Sequence, residues 1–278
     1  MDWIGEDNSR IGVSIRLGLK QIIHKKTSKY FSSIIIADTT LGRTLLLSQN
    51  GDLTIQTAEL YDFYDEIAAH VPMTAHPNPS RVLIIGGGDG VILREVLKYK
   101  TVKEVFLVEI DQSVIKVSKE FLRLDNGAFN DPRVKIIISD AAEFLKETNL
   151  KFDVIIGDYS DPYPDTPAGS LMSEEFYRNL KKATMPDSIT VLQTGSPLFQ
   201  REIFCKIYRH LKALFQKVKP FWIIVPYYPG GLWTFIAASD ETDPAEPVRE
   251  PPADTIFYNT EIHKCVFCLP QFMRDLIK

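Results

Sequence analysis

The chain has 278 residues, of which 45% are hydrophobic and 24% charged, with 15 Gly and 17 Pro. This length suits one α/β domain with a small additional domain, and the composition excludes disordered, collagen-like and coiled-coil proteins. The formal net charge is −4, from 36 acidic and 32 basic residues, so there is no basic excess with which to bind a nucleic acid.

Neither a secretory leader nor a membrane-spanning segment is expected. The first 25 residues carry charges throughout, and the one long uncharged stretch, 221–238, is interrupted by Pro226, Pro229, Gly230 and Gly231. A bilayer-spanning helix does not tolerate such interruptions without buried partners. The chain has only 3 Cys, too few for a disulfide framework. We therefore expect a cytoplasmic protein with neither a membrane nor a nucleic-acid partner.

The beginning of the chain predicts a small antiparallel β domain. Short β-branched and aliphatic runs lie between polar turns at 11–19, 32–37 and 44–47. Asn50-Gly51 favours a type I′ hairpin turn, because both central positions of that turn take a positive φ. We place this domain at residues 1–55 and a second domain at 56–278.

The second domain alternates helices with strands. Helices are expected at 59–70 (ended by Pro72), 91–99, 112–122, 140–146, 173–182 and 199–215, and strands at 82–85, 104–110, 134–138, 154–156 and 190–193. The strands are largely continuous apolar runs, which is typical of parallel strands buried on both faces. This alternation predicts a doubly wound sheet, with two more strands around Pro229-Gly230 forming an antiparallel end. Residues 243–254, which include four prolines, are expected to form a surface loop.

A glycine-rich loop, Gly86-Gly87-Gly88-Asp89-Gly90, follows the first strand of this sheet. Glycine lets the backbone turn sharply and approach a ligand closely. The dinucleotide-binding fingerprint spaces its glycines as G-x-G-x-x-G, whereas alternate positions are glycine here, and Asp89 would repel a pyrophosphate. A ligand with a cationic end and no phosphate suits this loop better.

Acidic residues also end the next two strands. Glu109 ends the second strand, where an acid can accept hydrogen bonds from both ribose hydroxyls. Asp140-Ala141 follows the third strand, where the pair could contact an adenine amino group. Together with Asp89, these residues are typical of a site for an S-adenosyl sulfonium compound. The alternative is that they are strand-end caps of an ordinary α/β protein.

An acidic and aromatic loop follows the fourth strand. Between residues 152 and 177 there are six acids and no Lys or Arg. Asp158 and Asp161 lie beside Tyr159 and Tyr163, at the edge where doubly wound sheets bind ligands. Aromatic walls with carboxylates form a slot for an alkylammonium chain. The alternative is a solvated surface loop.

Several motifs, in chain order, point to one family. They are Gly86-Gly-Gly-Asp-Gly90, Val108-Glu-Ile-Asp111, Asp131-Pro-Arg-Val134, Asp158-x-x-Asp161-Pro162, Val225-Pro-Tyr-Tyr-Pro-Gly230, Tyr258-Asn259, Ile262-His-Lys264 and Leu269-Pro270. Over nearly the whole chain the sequence resembles the polyamine aminopropyltransferases, the spermidine synthase family. The resemblance implies a Rossmann-like, methyltransferase-type doubly wound sheet with a small N-terminal antiparallel β domain, and assembly into homodimers or homotetramers.

The resemblance also implies a reaction. An aminopropyl group would pass from the co-substrate, decarboxylated S-adenosylmethionine, to a diamine or polyamine acceptor, releasing methylthioadenosine without a prosthetic group or a metal. Asp158 would be the catalytic carboxylate. The acceptor would contact Asp161, Tyr64, Asp65 and Tyr228. The co-substrate would contact Phe31, Gly86, Gly88, Asp89, Glu109, Asp140, Ala141 and Pro167.

Departures from the family pattern concern the acceptor and the co-substrate. Phe31 stands where the family has a glutamine, Asp65 stands where it has His or Gln, and a longer loop at 163–166 adds Asp165. An additional carboxylate in a slot for polycations is costly unless an ammonium meets it. We therefore hypothesise that the acceptor range extends to longer polyamines such as spermidine or norspermidine.

Two other functional interpretations remain open from the sequence. One is an S-adenosylmethionine-dependent methyltransferase, which would accept the carboxylate of the full methionine moiety. The other is a non-catalytic paralogue that binds adenosyl nucleosides or polyamines, which Phe31 and Asp65 keep open. Cys265-Val-Phe-Cys268 is interpreted as part of a strand with buried structural cysteines, because zinc needs two more ligands and His263 is the only candidate nearby.

Overall fold

Five antiparallel strands at the start of the chain close into a small barrel in the computed structural model, which describes residues 1–278. They are β1 (Asp2–Asn8), β2 (Val13–Lys26), β3 (Ser33–Thr39), β4 (Gly42–Gln49) and β5 (Asp52–Ala58). Asn50 and Gly51, between β4 and β5, have φ values of 52° and 91°, which the type I′ turn requires. The predicted antiparallel β domain is confirmed.

A seven-stranded sheet forms the second unit, in the order β11-β12-β10-β9-β6-β7-β8. Its strands are β6 (Arg81–Gly86), β7 (Glu104–Glu109), β8 (Val134–Ile138), β9 (Phe152–Asp158), β10 (Thr184–Gly195), β11 (Lys217–Ile224) and β12 (Leu232–Ser239). Strands β10, β9, β6, β7 and β8 are parallel, whereas β12 pairs antiparallel with both β10 and β11. The doubly wound sheet with an antiparallel end is therefore confirmed.

Helices cover both faces of this sheet. They are α1 (Phe63–Ala75), α2 (Val91–Leu97), α3 (Gln112–Val117), α4 (Ala141–Glu147), α5 (Glu174–Lys182), α6 (Arg201–Leu214), α7 (Thr260–Val266) and α8 (Gln271–Leu276). Alternate residues of β6 point to opposite faces: Val82 and Ile84 join the core with α1, and Leu83 and Ile85 join the core with α5. Both faces are thus apolar, as a buried parallel strand requires. None of the helices is long and apolar enough to span a membrane.

The barrel packs directly on the second unit through β3. Ile35 joins the larger core, while Ile34 and Ile36 pack with Val114 and Leu122, which lie in α3 and in the single turn of π-helix (Ser118–Leu122) that continues it. Because alternate side chains of a strand point in opposite directions, β3 is apolar on both sides. This packing sets the barrel against the carboxyl end of the sheet.

The junction between the two units differs from the sequence-based expectation. The boundary expected at residue 55 falls within β5, whose pairing with β4 continues to Ala58, and α1 begins only at Phe63. The expected end of α1 at Pro72 is also wrong, since the helix continues through it, and the N–H of His76 donates to the Pro72 carbonyl. The proline removes only its own N–H near the end of α1, and burial of nearly the whole helix offsets that loss.

The strand expected around the two C-terminal cysteines is wrong. Cys265 lies in α7, which begins directly after Asn259, and the side chain of Asn259 accepts hydrogen bonds from two N–H groups of the first turn. Both Cys265 and Cys268 are exposed, because their spacing places them on the outer side of this short helix and of the turn that follows it. His263 points inward instead, with its Nε2 3.0 Å from the carbonyl oxygen of Pro244.

Candidate functional site

The carboxyl ends of β6, β7 and β9 open onto one cavity, which the barrel borders on the opposite side. Every residue that the resemblance assigns to catalysis, to the acceptor or to the co-substrate lines this cavity. Parallel strands bring residues that are distant in the chain to one edge of the sheet, where such folds bind ligands. The structure therefore brings the predicted site residues together, while their individual roles remain predictions.

The glycine-rich loop packs against the end of β9. Gly86 has a φ of 82°, and a Cβ at this position would lie 2.0 Å from the carbonyl oxygen of Asp158. The N–H of Gly87 donates to the same oxygen at 2.9 Å. At Gly88 a Cβ would lie 2.7 Å from Oε2 of Glu109. Glycine is required at these positions because the loop contacts the ends of both β9 and β7, and no space remains for a Cβ. Without side chains there, the cavity above the loop stays open.

The part of the cavity that the resemblance assigns to the co-substrate, here called the co-substrate side, contains three acids. Each of them uses one oxygen to cap the local backbone. The pairs are Asp89 Oδ1 with the N–H of Val91 (2.9 Å), Glu109 Oε1 with that of Asp111 (2.9 Å), and Asp140 Oδ1 with that of Ala142 (2.7 Å). The strand-end-cap interpretation is therefore correct for one oxygen of each residue. Each of the three acids also lines the cavity, so capping and ligand binding are compatible.

Burial raises the pKa values of two acids on the co-substrate side. Asp89 and Glu109 are each 7% exposed. Burial raises the pKa of Glu109 to about 7, opposed by hydrogen bonds from the backbone, and it also raises the pKa of Asp89. A cationic ligand would restore the ionised forms, because an opposite charge nearby lowers the pKa of a carboxyl group.

Apolar groups complete the co-substrate side. Phe31 is buried and packs with Leu45, Leu47 and Val114, in the place where the family pattern has a glutamine. Pro167 opens a 3₁₀ turn (Pro167–Met172) that borders the cavity. Phe31 can therefore offer a flat apolar surface to a nucleoside, but it cannot offer the hydrogen bonds of an amide.

Asp158 occupies the middle of the cavity. It is the last residue of β9, and its Oδ1 accepts a hydrogen bond of 2.8 Å from the Tyr64 hydroxyl. Tyr64 packs edge-to-face on Tyr228, with ring centroids 5.7 Å apart. Burial, and then the nearby charges of Asp89 and Glu109, raise the pKa of Asp158 to about 8. A carboxyl group with this pKa can accept a proton near neutral pH.

A second acidic region lies where the barrel meets the loop after β9. Oδ2 of Asp161 accepts a hydrogen bond of 2.6 Å from Gln200, and burial raises the pKa of Asp161 to about 6. Glu6 of β1 is 4% exposed, and burial, followed by repulsion from Asp161, raises its pKa to about 8. The sequence analysis missed Glu6, because a single acid in a short strand gives no sign that it faces a cavity.

Asp165 does not face the cavity as the acceptor hypothesis assumed. It is exposed and forms an ion pair with Arg10, which also lies 4.7 Å from the ring centroid of Tyr163. The side chain of Asn50 donates to Asp165 as well, at 3.0 Å. Asp165 therefore joins the loop to the tips of two barrel hairpins, and its charge is already balanced. It provides no support for a longer acceptor.

Asp65 lies in the same cavity, beside Asp89 and Asp158. This residue of α1 is 2% exposed, and one of its oxygens lies within 4.8 Å of carboxylate oxygens of both Asp89 and Asp158. Its Oδ2 is buried and has no hydrogen-bond partner. Three carboxyl groups therefore converge where the sequence analysis had placed one catalytic acid and one co-substrate ligand.

The side chains of Asp65, Asp89 and Asp158 are close enough together to hold a metal ion, and so are those of His76, Asp153 and Asp187. The second group lies at the amino end of β9, opposite the cavity. Nδ1 of His76 accepts a hydrogen bond from the N–H of Asn78 at 3.1 Å, so Nε2 of the neutral ring carries the proton. The protonated Nε2 points towards Asp187 at 3.6 Å and cannot bind a metal in this form. This arrangement favours a structural role for His76.

Comparison with known proteins agrees with the predicted family. A family model described as the spermine/spermidine synthase domain matches residues 61–247. The polyamine aminopropyltransferase of Bacillus subtilis is 36% identical over 279 residues, covering 99% of this chain and 99% of that protein. The polyamine aminopropyltransferase of Methanocaldococcus jannaschii is 37% identical over 286 residues, covering 99% and 95%.

Solved structures show the same relationship. The spermidine synthase of Thermotoga maritima superposes with a TM-score of 0.90 at 33% identity, covering 100% of this chain and 94% of that one. A spermidine synthase in complex with the transition-state analogue AdoDATO gives a TM-score of 0.89 at 34% identity, covering 95% and 91%. The two-unit fold and the family predicted from the motifs are confirmed. The chain therefore belongs to the spermine/spermidine synthase family, the polyamine aminopropyltransferases.

Proposed function

We propose that this protein transfers the aminopropyl group of decarboxylated S-adenosylmethionine to a primary amine of a diamine or polyamine, releasing methylthioadenosine. The observation that carries this proposal is the position of Asp158, which lies between the acids of the co-substrate side and the second acidic region at Asp161. A cavity with acidic groups at both ends suits two cationic substrates that meet in the middle.

The co-substrate would lie over the glycine-rich loop. Asp89 would bind its aminopropyl ammonium, Glu109 the ribose hydroxyls, and Asp140 with Ala141 the adenine. This assignment is supported by the one backbone cap that each acid makes, which leaves the other oxygen of Asp89 and of Glu109 available, while Oδ2 of Asp140 accepts a hydrogen bond from the Ser170 hydroxyl at 3.2 Å. Phe31 would contact the nucleoside through its apolar ring, and Pro167 would close the same side.

The acceptor would lie between Asp158 and the barrel. Tyr64 and Tyr228 would form the aromatic walls around its carbon chain, and Asp161 with Glu6 would bind its distal ammonium. The support is that the charge of Asp161 lies close enough to Glu6 to raise the pKa of Glu6, an effect that an ammonium between the two carboxylates would remove. A diamine fits this arrangement, since one carboxylate pair serves one distal charge.

The chemical step would be an in-line displacement. The neutral amine nitrogen attacks the carbon next to sulfur, the C–S bond breaks, and its electron pair stays on sulfur as a neutral thioether. A free alkylamine has a pKa near 10.4, so at pH 7 only about one molecule in 2,500 is neutral. Asp158 would accept the proton that the nitrogen loses, and the hydrogen bond from Tyr64 would hold its carboxylate in place.

Mass spectrometry of the reaction products tests this function. The protein is incubated with decarboxylated S-adenosylmethionine or with S-adenosylmethionine, each with putrescine, cadaverine, norspermidine or spermidine. An acceptor that gains an aminopropyl group, together with methylthioadenosine, supports the proposal. Methylated products from the second co-substrate would support the methyltransferase interpretation, and no product from either would support the binding-only interpretation.

Three further expectations remain proposals. A cytoplasmic location is supported by three free cysteines, two of which are exposed. A homodimer or homotetramer is expected from the family resemblance, and light scattering of the purified protein measures the oligomeric state.

The division between the two domains is proposed between Ala58 and Phe63, where the last barrel strand ends and α1 begins.

A further inference from the structure

Three carboxyl groups meet at the end of the cavity assigned to the aminopropyl ammonium. One oxygen of each of Asp65, Asp89 and Asp158 lies within 4.8 Å of the others. Like charges at this distance in a buried site cannot all be ionised without a large cost, so such groups retain a proton. The question is which of the three carries it.

Hydrogen bonds distinguish the three groups. Oδ1 of Asp158 accepts from the Tyr64 hydroxyl at 2.8 Å, and Oδ1 of Asp89 accepts from the N–H of Val91 at 2.9 Å. Each of these bonds favours the ionised carboxylate. Oδ2 of Asp65, in contrast, is buried and accepts none. Asp65 is therefore the member of the group whose charge is least stabilised.

The wider surroundings of Asp65 do not provide a cation. The charged and titratable groups that face it are Asp62, Asp89, Asp158, Arg94, Tyr64, Tyr227 and Tyr228. Arg94 is the one cation among them, and it already pairs with Asp62 at 2.6 Å and with Glu95 at 2.8 Å. Burial and the charges of Asp89 and Asp158 raise the pKa of Asp65 well above its ordinary value.

We propose that Asp65 carries a proton in the empty cavity and releases it to solvent when the aminopropyl ammonium of the co-substrate binds between Asp65 and Asp89. This rests on the proposed function, and it makes Asp65 a positioning residue for the co-substrate. On binding, the Asp65 O–H bond breaks, the carboxylate pairs with the incoming ammonium, and one proton is released to solvent. Binding of the co-substrate is then coupled to pH, with affinity rising up to about tenfold per pH unit while Asp65 is protonated.

Isothermal titration calorimetry in buffers of different ionisation enthalpy measures this proton. Decarboxylated S-adenosylmethionine is titrated into the full chain at about pH 7 with EDTA present, and methylthioadenosine, which lacks both the ammonium and the sulfonium charge, is titrated in parallel. We expect the co-substrate to release at least about one proton more than methylthioadenosine. Asp65→Asn should reduce that difference by about one proton and weaken co-substrate binding at least about tenfold, while methylthioadenosine binds as before.

A matched control and a folding check make the result specific. Asp161→Asn removes a partly buried carboxylate from the same cavity but should keep the additional proton release. Asparagine has the shape of a protonated aspartate, so Asp65→Asn should unfold at the temperature of the unmodified protein or above it.

Two outcomes would overturn the proposal: equal proton release by the two ligands in the unmodified protein, or an additional release that is as large in Asp65→Asn as in the unmodified protein. The second outcome would place the proton on Asp158 or Asp89. If the co-substrate is bound and consumed without proton release, only the role of Asp65 is wrong. If it is neither bound nor consumed, the proposed function fails as well.

Discussion

Replacing Asp158 by asparagine removes the proton acceptor while keeping the shape of the side chain and its contact with Tyr64. The unmodified enzyme can bind a protonated amine and take its proton onto Asp158, whose pKa is raised to about 8 by burial and by Asp89 and Glu109. The variant has no such proton acceptor, so only amine that is already neutral can react, about one molecule in 2,500 at pH 7. We expect kcat to fall at least about 100-fold at pH 7, within the range that general bases contribute.

The pH dependence makes this prediction more specific. Asp158 acts as a base only when ionised, and the cationic co-substrate lowers its pKa from about 8, so activity of the unmodified enzyme should rise with pH and level off at or below about 8. Activity of Asp158→Asn should continue to rise, about tenfold per pH unit, towards the pKa of the free amine near 10.4. The difference between the two enzymes should therefore shrink at high pH.

Initial rates of methylthioadenosine release, measured from about pH 6.5 to 9.5 with saturating co-substrate, check both expectations. Asp153→Asn is the matched control, because Asp153 lies at the other end of β9 and accepts hydrogen bonds from the N–H groups of Ser80 and Arg81 outside the cavity. Its kcat per folded molecule should be unchanged. Near-normal turnover of Asp158→Asn at pH 7, or a deficit that is constant with pH, would refute the assignment of Asp158 as the base.

Three other substitutions separate the parts of the site. Asp89→Ala should weaken binding of decarboxylated S-adenosylmethionine by about 10- to 150-fold in calorimetry, because it removes a charge-assisted hydrogen bond; unchanged affinity would place the ammonium elsewhere. Asp161→Asn should raise the KM for putrescine at least about tenfold with a smaller effect on kcat, whereas a loss confined to kcat would contradict its role at the distal ammonium. Gly86→Ala should lower the melting temperature, because the alanine must adopt a φ of 82° and its Cβ would lie 2.0 Å from the carbonyl oxygen of Asp158. The backbone strain alone costs about 1–3 kcal/mol. An unchanged melting temperature would show that the loop can move away.

The co-substrate side could be predicted from the sequence because its signals are local. Each acid is the last residue of an apolar strand or lies within three residues of its end, and the parallel sheet necessarily brings the ends of such strands together. Glu109 and Asp158 can be located in this way without knowledge of any contact. The same rule explains why the glycine-rich loop touches both of them.

Contacts between the two units could not be predicted in the same way. Glu6 is buried because of how the barrel packs on the sheet, and Asp165 is neutralised by Arg10 across the same junction. Neither contact has a local signal, since both depend on side chains far apart in the chain. The helix around Cys265 was mistaken for a strand because seven residues are too few to show a helical period.

The division of the cavity between two folding units has a consequence for how acceptor preference can change. The groups around the co-substrate belong mainly to the seven-stranded sheet, whereas Glu6, Asn8 and Gln56, on the opposite wall, belong to the barrel. Substitutions in the barrel can therefore lengthen, shorten or recharge the proposed acceptor end without altering Glu109 and Asp140, which we propose hold the nucleoside. Chimeras that exchange only the barrel should therefore change the preferred amine, while the chemistry proposed for Asp158 stays constant.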